Sequence, residues 1–357
     1  MEGKKRKIFP GANSSKGSYP LFDNIIPKNV NRIFCLKGGP GVGKSSLMKK
    51  IGKEFIEKGY DVELFYCTSD PSSLDGVLIK KLGVVLLDAT APHIVDPKNP
   101  GAIDEIVNLG NYWDLEELVK SKNEIVKCNK EIGDSFKRAY RFLKASEPIY
   151  CDIEEKYKDC MDFGKINELT EKIIDELFRN INSTGEYIKE RHLFGTAITP
   201  IGCIDYTDSI LSQVDKVHYL NGEIGTGRTT FLKKVYEKAV EKGMCVEVYH
   251  YPLIPEKIET ILIKDLNLGI TTSKIFEGNN EINLKECINN SKLINYEKDI
   301  NFDKNIFDEL ISYAILNLKR AKAQHDVIEN YYIPNMKFDE IEELKNQLIK
   351  RILKYEK

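Results

Sequence analysis

Residues Gly38-Gly39-Pro40-Gly41-Val42-Gly43-Lys44-Ser45 have the spacing G-x-x-x-x-G-K-[ST]. Glycines at these positions let backbone N–H groups close around phosphate oxygens with no Cβ in the way. A helix starting near the lysine adds partial positive charge at the same point. Lys44 is then expected to reach the β- and γ-phosphates of ATP, and the Ser45 hydroxyl to ligate Mg2+. Gly38, Gly39, Pro40, Gly41, Val42, Gly43, Lys44, Ser45 and Ser46 are the expected nucleotide-binding residues. Further on, Val84-Val85-Leu86-Leu87-Asp88 is an apolar run closed by a carboxylate, the Walker-B pattern in which the aspartate serves Mg2+. Ser45 and Asp88 are thus the expected metal ligands.

Asp70 follows the apolar segment 61–67, and ligands of open α/β sheets sit off the carboxyl ends of strands. It is expected to face the γ-phosphate or an acceptor, against the plainer reading of an Asx turn before Pro71. Lys44, Asp70 and Asp88 form the candidate catalytic set. His93 is a further candidate near a γ-phosphate, although a lone histidine is more often structural. Ala89 follows Asp88, so the glutamate that orients water in many hydrolytic P-loop ATPases is missing.

Positioning these residues requires a strand over 32–36, a helix from Lys44 to Lys58 stopped by Gly59, and strands over 61–67 and 84–88. The Pro-, Gly- and Asn-rich stretch 94–112 reads as a lid or binding loop. From Trp113 the apolar spacing turns helical, breaks near Pro148 and resumes to Leu177, which predicts a long antiparallel helical arm. Arg138 and Arg141 lie one turn apart on it and read as a solvated basic face, with phosphate contact the alternative.

The whole pattern occurs twice. Gly222-Glu223-Ile224-Gly225-Thr226-Gly227-Arg228-Thr229 repeats the loop 184 positions later, with arginine in place of lysine. Residues 45–67 match 229–251 without a gap at seven of twenty-three columns, where ordinary usage gives about one or two. Met161, Phe163, Ile166 and Leu169 recur as Met336, Phe338, Ile341 and Leu344, at an offset of 175. A period this long predicts a duplicated α/β fold: two P-loop NTPase domains, each a parallel sheet with flanking helices and a long helical hairpin arm. The expected domains are 1–188, with the intact motifs, and 189–357, degenerate. At the 184 offset Asp70 becomes Ile254 and Asp88 becomes Thr272, so the second copy has lost lysine and both carboxylates. Arg228 is longer and planar and does not reproduce a lysine's point charge. An arginine-finger role for Arg228 at the first site is conceivable.

The chain has 357 residues and a net charge of −2, which offers no bulk attraction for nucleic acid. There is no membrane-length apolar run or secretory signal, and none of the eight cysteines forms a C-x-x-C. A cytoplasmic protein with reduced thiols and no membrane partner is expected. The five histidines lack metal-ligand spacing.

At Leu36 through Ser46, with 73–77 and Asp88-Ala89-Thr90-Ala91-Pro92-His93, the chain resembles tandem P-loop proteins of low-GC Gram-positive bacteria, known as predicted ATPases or nucleotide kinases. That resemblance spans both halves and implies ATP at Gly38 through Ser45 and Mg2+ at Asp88. Members of that family tend to keep lysine in the second loop, so Arg228 and Thr272 depart from it. Three activities are compatible with these features: Mg-dependent ATP hydrolysis at one N-terminal site, phosphoryl transfer to a nucleotide or small molecule, and a non-catalytic, nucleotide-gated interaction. The partners expected are ATP and an unidentified protein or small-molecule acceptor.

Overall fold

The structure, a computed structural model, describes residues 2–90, 95–179, 181–183 and 190–356. His93 and the expected boundary between 188 and 189 lie outside the described residues.

The first half contributes β1 (Lys5–Ile8), β2 (Gly11–Ser14), β3 (Gly17–Pro20), β4 (Arg32–Lys37), α1 (Lys44–Glu57), β5 (Val62–Tyr66), β6 (Leu74–Ile79), β7 (Val84–Asp88), β8 (Asp104–Asn108), α2 (Leu115–Lys120), α3 (Lys122–Asp159) and α4 (Phe163–Leu177). The second repeats the plan. It has β9 (Arg191–Leu193), β10 (Thr196–Thr199), β11 (Gly202–Asp205), α5 (Thr207–Leu211), β12 (Lys216–Asn221), α6 (Arg228–Glu241), β13 (Val246–His250), β14 (Ile258–Ile263), β15 (Leu268–Thr271), β16 (Ile282–Asn283), α7 (Asn290–Tyr332) and α8 (Phe338–Leu353).

Each half forms a six-stranded sheet, in the orders β1-β5-β6-β7-β4-β8 and β16-β12-β15-β14-β13-β9. The expectation of parallel sheets needs correction, because β6 runs antiparallel to both β5 and β7, as β14 does to β13 and β15. The cause is local. Asp70 Oδ1 accepts from the Ser72 N–H, closing an Asx turn that sends the chain straight back along β5. The stretch expected as a lid also differs: within it, β8 pairs parallel with β4, and Val107 and Leu109 are buried in the core.

The arms depart furthest from expectation. They do not fold back as hairpins within their own halves. Instead α3 and α7, of 38 and 43 residues, pack along each other across the halves. Ala139, Leu143 and Tyr150 of α3 share one apolar cluster with Ala314 and Leu318 of α7. The break expected at Pro148 is absent, since α3 continues through it. An interior proline costs about 3 kcal/mol. Tyr150, Ile153 and Tyr157 beyond it are buried, at roughly 1.5–3 kcal/mol each, which offsets that cost.

Beyond each arm the last helix is exchanged. Ile341, Leu348, Ile349 and Ile352 of α8 lie in the core of the first half with Leu47, Met48 and Ile51 of α1. Reciprocally, Met161, Ile166 and Phe178, in and beside α4, join Phe231, Leu232 and Val235 of α6 in the second core. Where the halves meet, the equivalent residues Phe9 and Phe194 exchange backbone hydrogen bonds of 3.0 and 3.1 Å. Beside them Arg6 binds Glu63 (2.9 Å) and Glu247, while Arg191 Nη2 lies 2.7 Å from Glu63 Oε2. Burial opposes ionisation of Glu63, yet Arg191 and Arg6 hold it down to about 2. A charge knot with both arginines supplied across the sheets makes separation of the halves costly. All eight cysteines are free, and no helix among the described residues is long and apolar enough to cross a membrane.

Candidate functional site

The first loop leaves β4 and ends at Gly43, which N-caps α1 with φ +89°. Gly41 also takes positive φ, +69°, so both bends favour glycine. Among the described residues, the N–H groups of Gly41, Val42, Gly43, Lys44 and Ser45 find no backbone or side-chain acceptor. Successive orphan donors at a helix start form a nest for an anion. Lys44 Nζ donates to the carbonyls of Gly38 (2.7 Å) and Gly39 (2.9 Å) and lies 3.6 Å from Asp88 Oδ2. Burial lowers its pKa while the Asp88 charge opposes that shift.

Asp88 ends β7 next to β4, as its apolar run suggested. Its Oδ1 accepts from the Thr90 N–H (2.9 Å), and Thr90 Oγ1 donates to the Gly38 carbonyl (3.1 Å). Ser45 Oγ accepts from the Leu74 N–H (3.0 Å), tying the head of α1 to the turn that starts at Asp70. Ser45 and Asp88 therefore flank Lys44 on adjacent elements and supply hard oxygen ligands suited to Mg2+. Ser46 occupies the first turn of α1 beside them.

Asp70 is placed differently from the other candidates. Its carboxylate accepts from the Ser72 N–H (3.1 Å) and from the hydroxyls of Ser72 and Ser73 (2.7 Å each). Lys322 of α7 stands 3.6 Å from it. Burial raises its pKa, but Ser73, Ser72 and Lys322 together hold it below the ordinary value. The Asx turn is present, and a cation from the other half sits where an acceptor was expected.

Asp75 belongs to the site as well, although it is not among the candidate site residues read from the sequence. It lies in β6, and the register that pairs Gly76 with Leu87 sets it beside Asp88. Gly76 leaves room for a close approach there, since a Cβ would come within 3.3 Å of the Leu86 carbonyl. Burial, with the nearby Asp88 charge, pushes Asp75 up to about 8, against a hydrogen bond from Cys67 and the Lys44 charge. At neutral pH it holds its proton. The position was recoverable from the repeat, because Asp75 falls on Glu259 at the 184 offset.

The second half also reaches the first loop. A Cβ at Gly39 would come within 2.8 Å of the Tyr332 ring, and one at Gly41 within 3.0 Å of Ile333 and 3.4 Å of Glu329 Cα. Phe338 and Ile341 of α8 stand over Gly43. On the same part of α7, His325, Asp326 and Glu329 bring one ligand atom each within 4.8 Å of one another, a grouping the histidine spacing did not suggest. Arg138 is not at this site; it stacks over Phe142, as a solvated face would.

The second loop keeps the backbone, with Gly225 and Gly227 at φ +83° and +87°. Its chemistry differs. Thr226 replaces Val42, and its N–H and Oγ1 both bond the Glu223 carbonyl (3.3 and 2.8 Å), closing the loop on itself. Glu223 puts a carboxylate where the first loop has Gly39, matched by Lys285 (3.1 Å) and Lys304 (3.8 Å). A cavity of about 440 Å3 beside it is lined by Glu223, Lys285 and Tyr157, a mixed-charge wall poorly suited to phosphates. Arg228 folds toward Gly222, whose Cβ would meet its Cγ at 3.2 Å. Its charge acts on Glu259 of its own half and on Tyr150 of α3. Both expected carboxylate losses hold, with Ile254 buried and Thr272 at the tip of β15. One carboxylate persists: Glu259, which burial pushes up to about 7.

In comparisons with known proteins, the chain matches no protein-family profile, no curated protein and no solved structure.

Proposed function

We propose that the first loop binds ATP with Mg2+ and hydrolyses it, and that the second loop does neither. The observation that carries this reading is the set of five N–H groups without acceptors at the head of α1, with Lys44, Ser45 and Asp88 alongside. Those amides would take phosphate oxygens, and Lys44 would exchange its two carbonyl partners for them. Ser45 and Asp88 would hold Mg2+, which neutralises charge on the phosphates when bound. Asp75, protonated at neutral pH, adds a donor without adding negative charge. Thr90 fixes the Asp88 carboxylate and the Gly38 carbonyl in place.

Phosphoryl transfer to a nucleotide or small molecule is the alternative, and Asp70, the carboxylate expected to face the γ-phosphate or an acceptor, is held in either case by Ser72, Ser73 and Lys322. Calorimetry with MgATP tests the proposal: the wild type should bind, and Lys44→Ala should cut turnover at least about a hundredfold. Absence of binding, or unchanged turnover in Lys44→Ala, refutes it. A second reading, nucleotide-gated interaction, is favoured by the contact of Tyr332 and Ile333 with loop glycines at one end of α7, whose length packs on α3. It predicts an ATP-dependent change in proteolysis of residues 113–180 with negligible turnover.

A further inference from the structure

Lys322, His325, Glu329 and Tyr332 of α7 are spaced three, four and three residues apart and so share one helix face. That face spans the first site. Tyr332 and Glu329 stand over Gly39 and Gly41, and the Glu329 charge acts on Lys44. At the other end, Lys322 Nζ lies 3.6 Å from Asp70 Oδ2, on the turn whose Leu74 N–H binds Ser45. The Lys322 side chain is three-quarters buried, so its charge needs a counter-anion; Asp70 and Asp326 supply it. Asp70, by contrast, does not depend on Lys322, because three donors from Ser72 and Ser73 already satisfy it. At 3.6 Å the pair is a loose ion contact rather than a hydrogen bond, and a stronger anion can displace it.

The duplicated half supplies an independent observation. At the offset of 175, the same face of α3 carries Glu147, Tyr150, Glu154 and Tyr157. The structure bears out this register, since Glu154 stands over Gly225 as Glu329 does over Gly41, and Ile166 over Gly227 as Ile341 does over Gly43. Lys322 has become Glu147, and its partner Asp70 has become Ile254. The cation over the loop and its counter-anion are therefore absent from the half that also lacks the loop lysine.

We propose that Lys322, carried by the second half, recognises the terminal phosphate of a nucleotide at the first loop and so makes the site discriminate a nucleoside triphosphate from a diphosphate. This rests on the nucleotide reading above. On binding, the ammonium leaves Asp70 for the terminal phosphate, and α7, which also packs on α3, registers the occupant.

The experiment is calorimetry of the full-length chain with MgATP and MgADP. Lys322→Met should weaken MgATP binding about tenfold and leave MgADP binding unchanged, which also reports that the site is folded. Lys322→Arg should keep most of the preference for MgATP. Equal weakening of both nucleotides, or no change in either, overturns the assignment of Lys322 while leaving the nucleotide reading intact. A wild type that binds neither nucleotide overturns both.

Discussion

At the head of α1, loop amides without acceptors adjoin Lys44, which lies by Asp88 and, through it, Asp75, while α7 brings Lys322 to Asp70 and Glu329 to Gly41. At the head of α6 the same positive-φ glycines carry a loop closed by Thr226 on the Glu223 carbonyl, roofed by Glu154, which binds Lys257 at 2.6 Å. The backbone and the packing around the two loops have been kept, while the charges have not. Glycine conformation and core burial are needed for each half to fold, so they persist without an active site. Lysine, strand-tip carboxylates and a cation beside the loop cost desolvation, which their mutual ion pairs offset only in part, so core packing alone does not retain them. Glu259 is the exception, and its burial beside Thr196 gives it a structural partner.

The comparison can be tested by disturbing each side of it. The largest expected effect comes from Leu348→Ala in α8, a fully buried residue of the second half that packs in the first core. It should destabilise the chain by about 2–5 kcal/mol. Amide exchange should rise in α1 while α6 stays protected; a rise confined to α6 would mean that α8 serves its own half.

Per pH unit, a smaller effect concerns protonation. The Asp75 carboxyl goes from an ordinary 3.8 when unfolded to about 8 when folded, so between these values the folded chain binds the extra proton. The contribution of Asp75 to stability should therefore fall as pH rises from about 4 to about 8, by up to about 1.4 kcal/mol per unit, beside a like contribution from Glu259. Asp75→Asn should make the slope shallower in urea melts at pH 5, 7 and 8.5, most clearly between pH 7 and 8.5. An unchanged slope would show that Asp75 ionises freely in the fold.

The smallest effect sharpens the contrast most. Arg228→Lys restores the second motif on paper, but Glu223, Thr226 and Thr272 stay. MgATP stoichiometry by calorimetry should remain one per chain, and a second equivalent would show that the lysine alone retired that loop.

Several elements were legible in the sequence because they depend on neighbours in the chain. The helix from Lys44, its stop at Gly59 with φ +89°, and β7 with Asp88 at its tip all follow from local spacing and glycine conformation. β6 was obscured because Gly76 interrupts its apolar run, and that glycine answers a close approach from β7 which no local pattern reveals. The continuation of α3 through Pro148 was obscured for a similar reason, since the stabilising contacts come from the other half.

By itself, then, the sequence determined the duplication, the loop backbone, and which copy kept Lys44, Ser45 and Asp88, because repeats and short motifs are written along the chain. Tertiary structure alone decided which half roofs which loop. The apolar stripes of α3 and α7 can bury themselves within one half or across both, and periodicity is identical in the two cases. Only the crossed arrangement closes each core with the other half's last helix, and it is this exchange that carries Lys322 to Asp70.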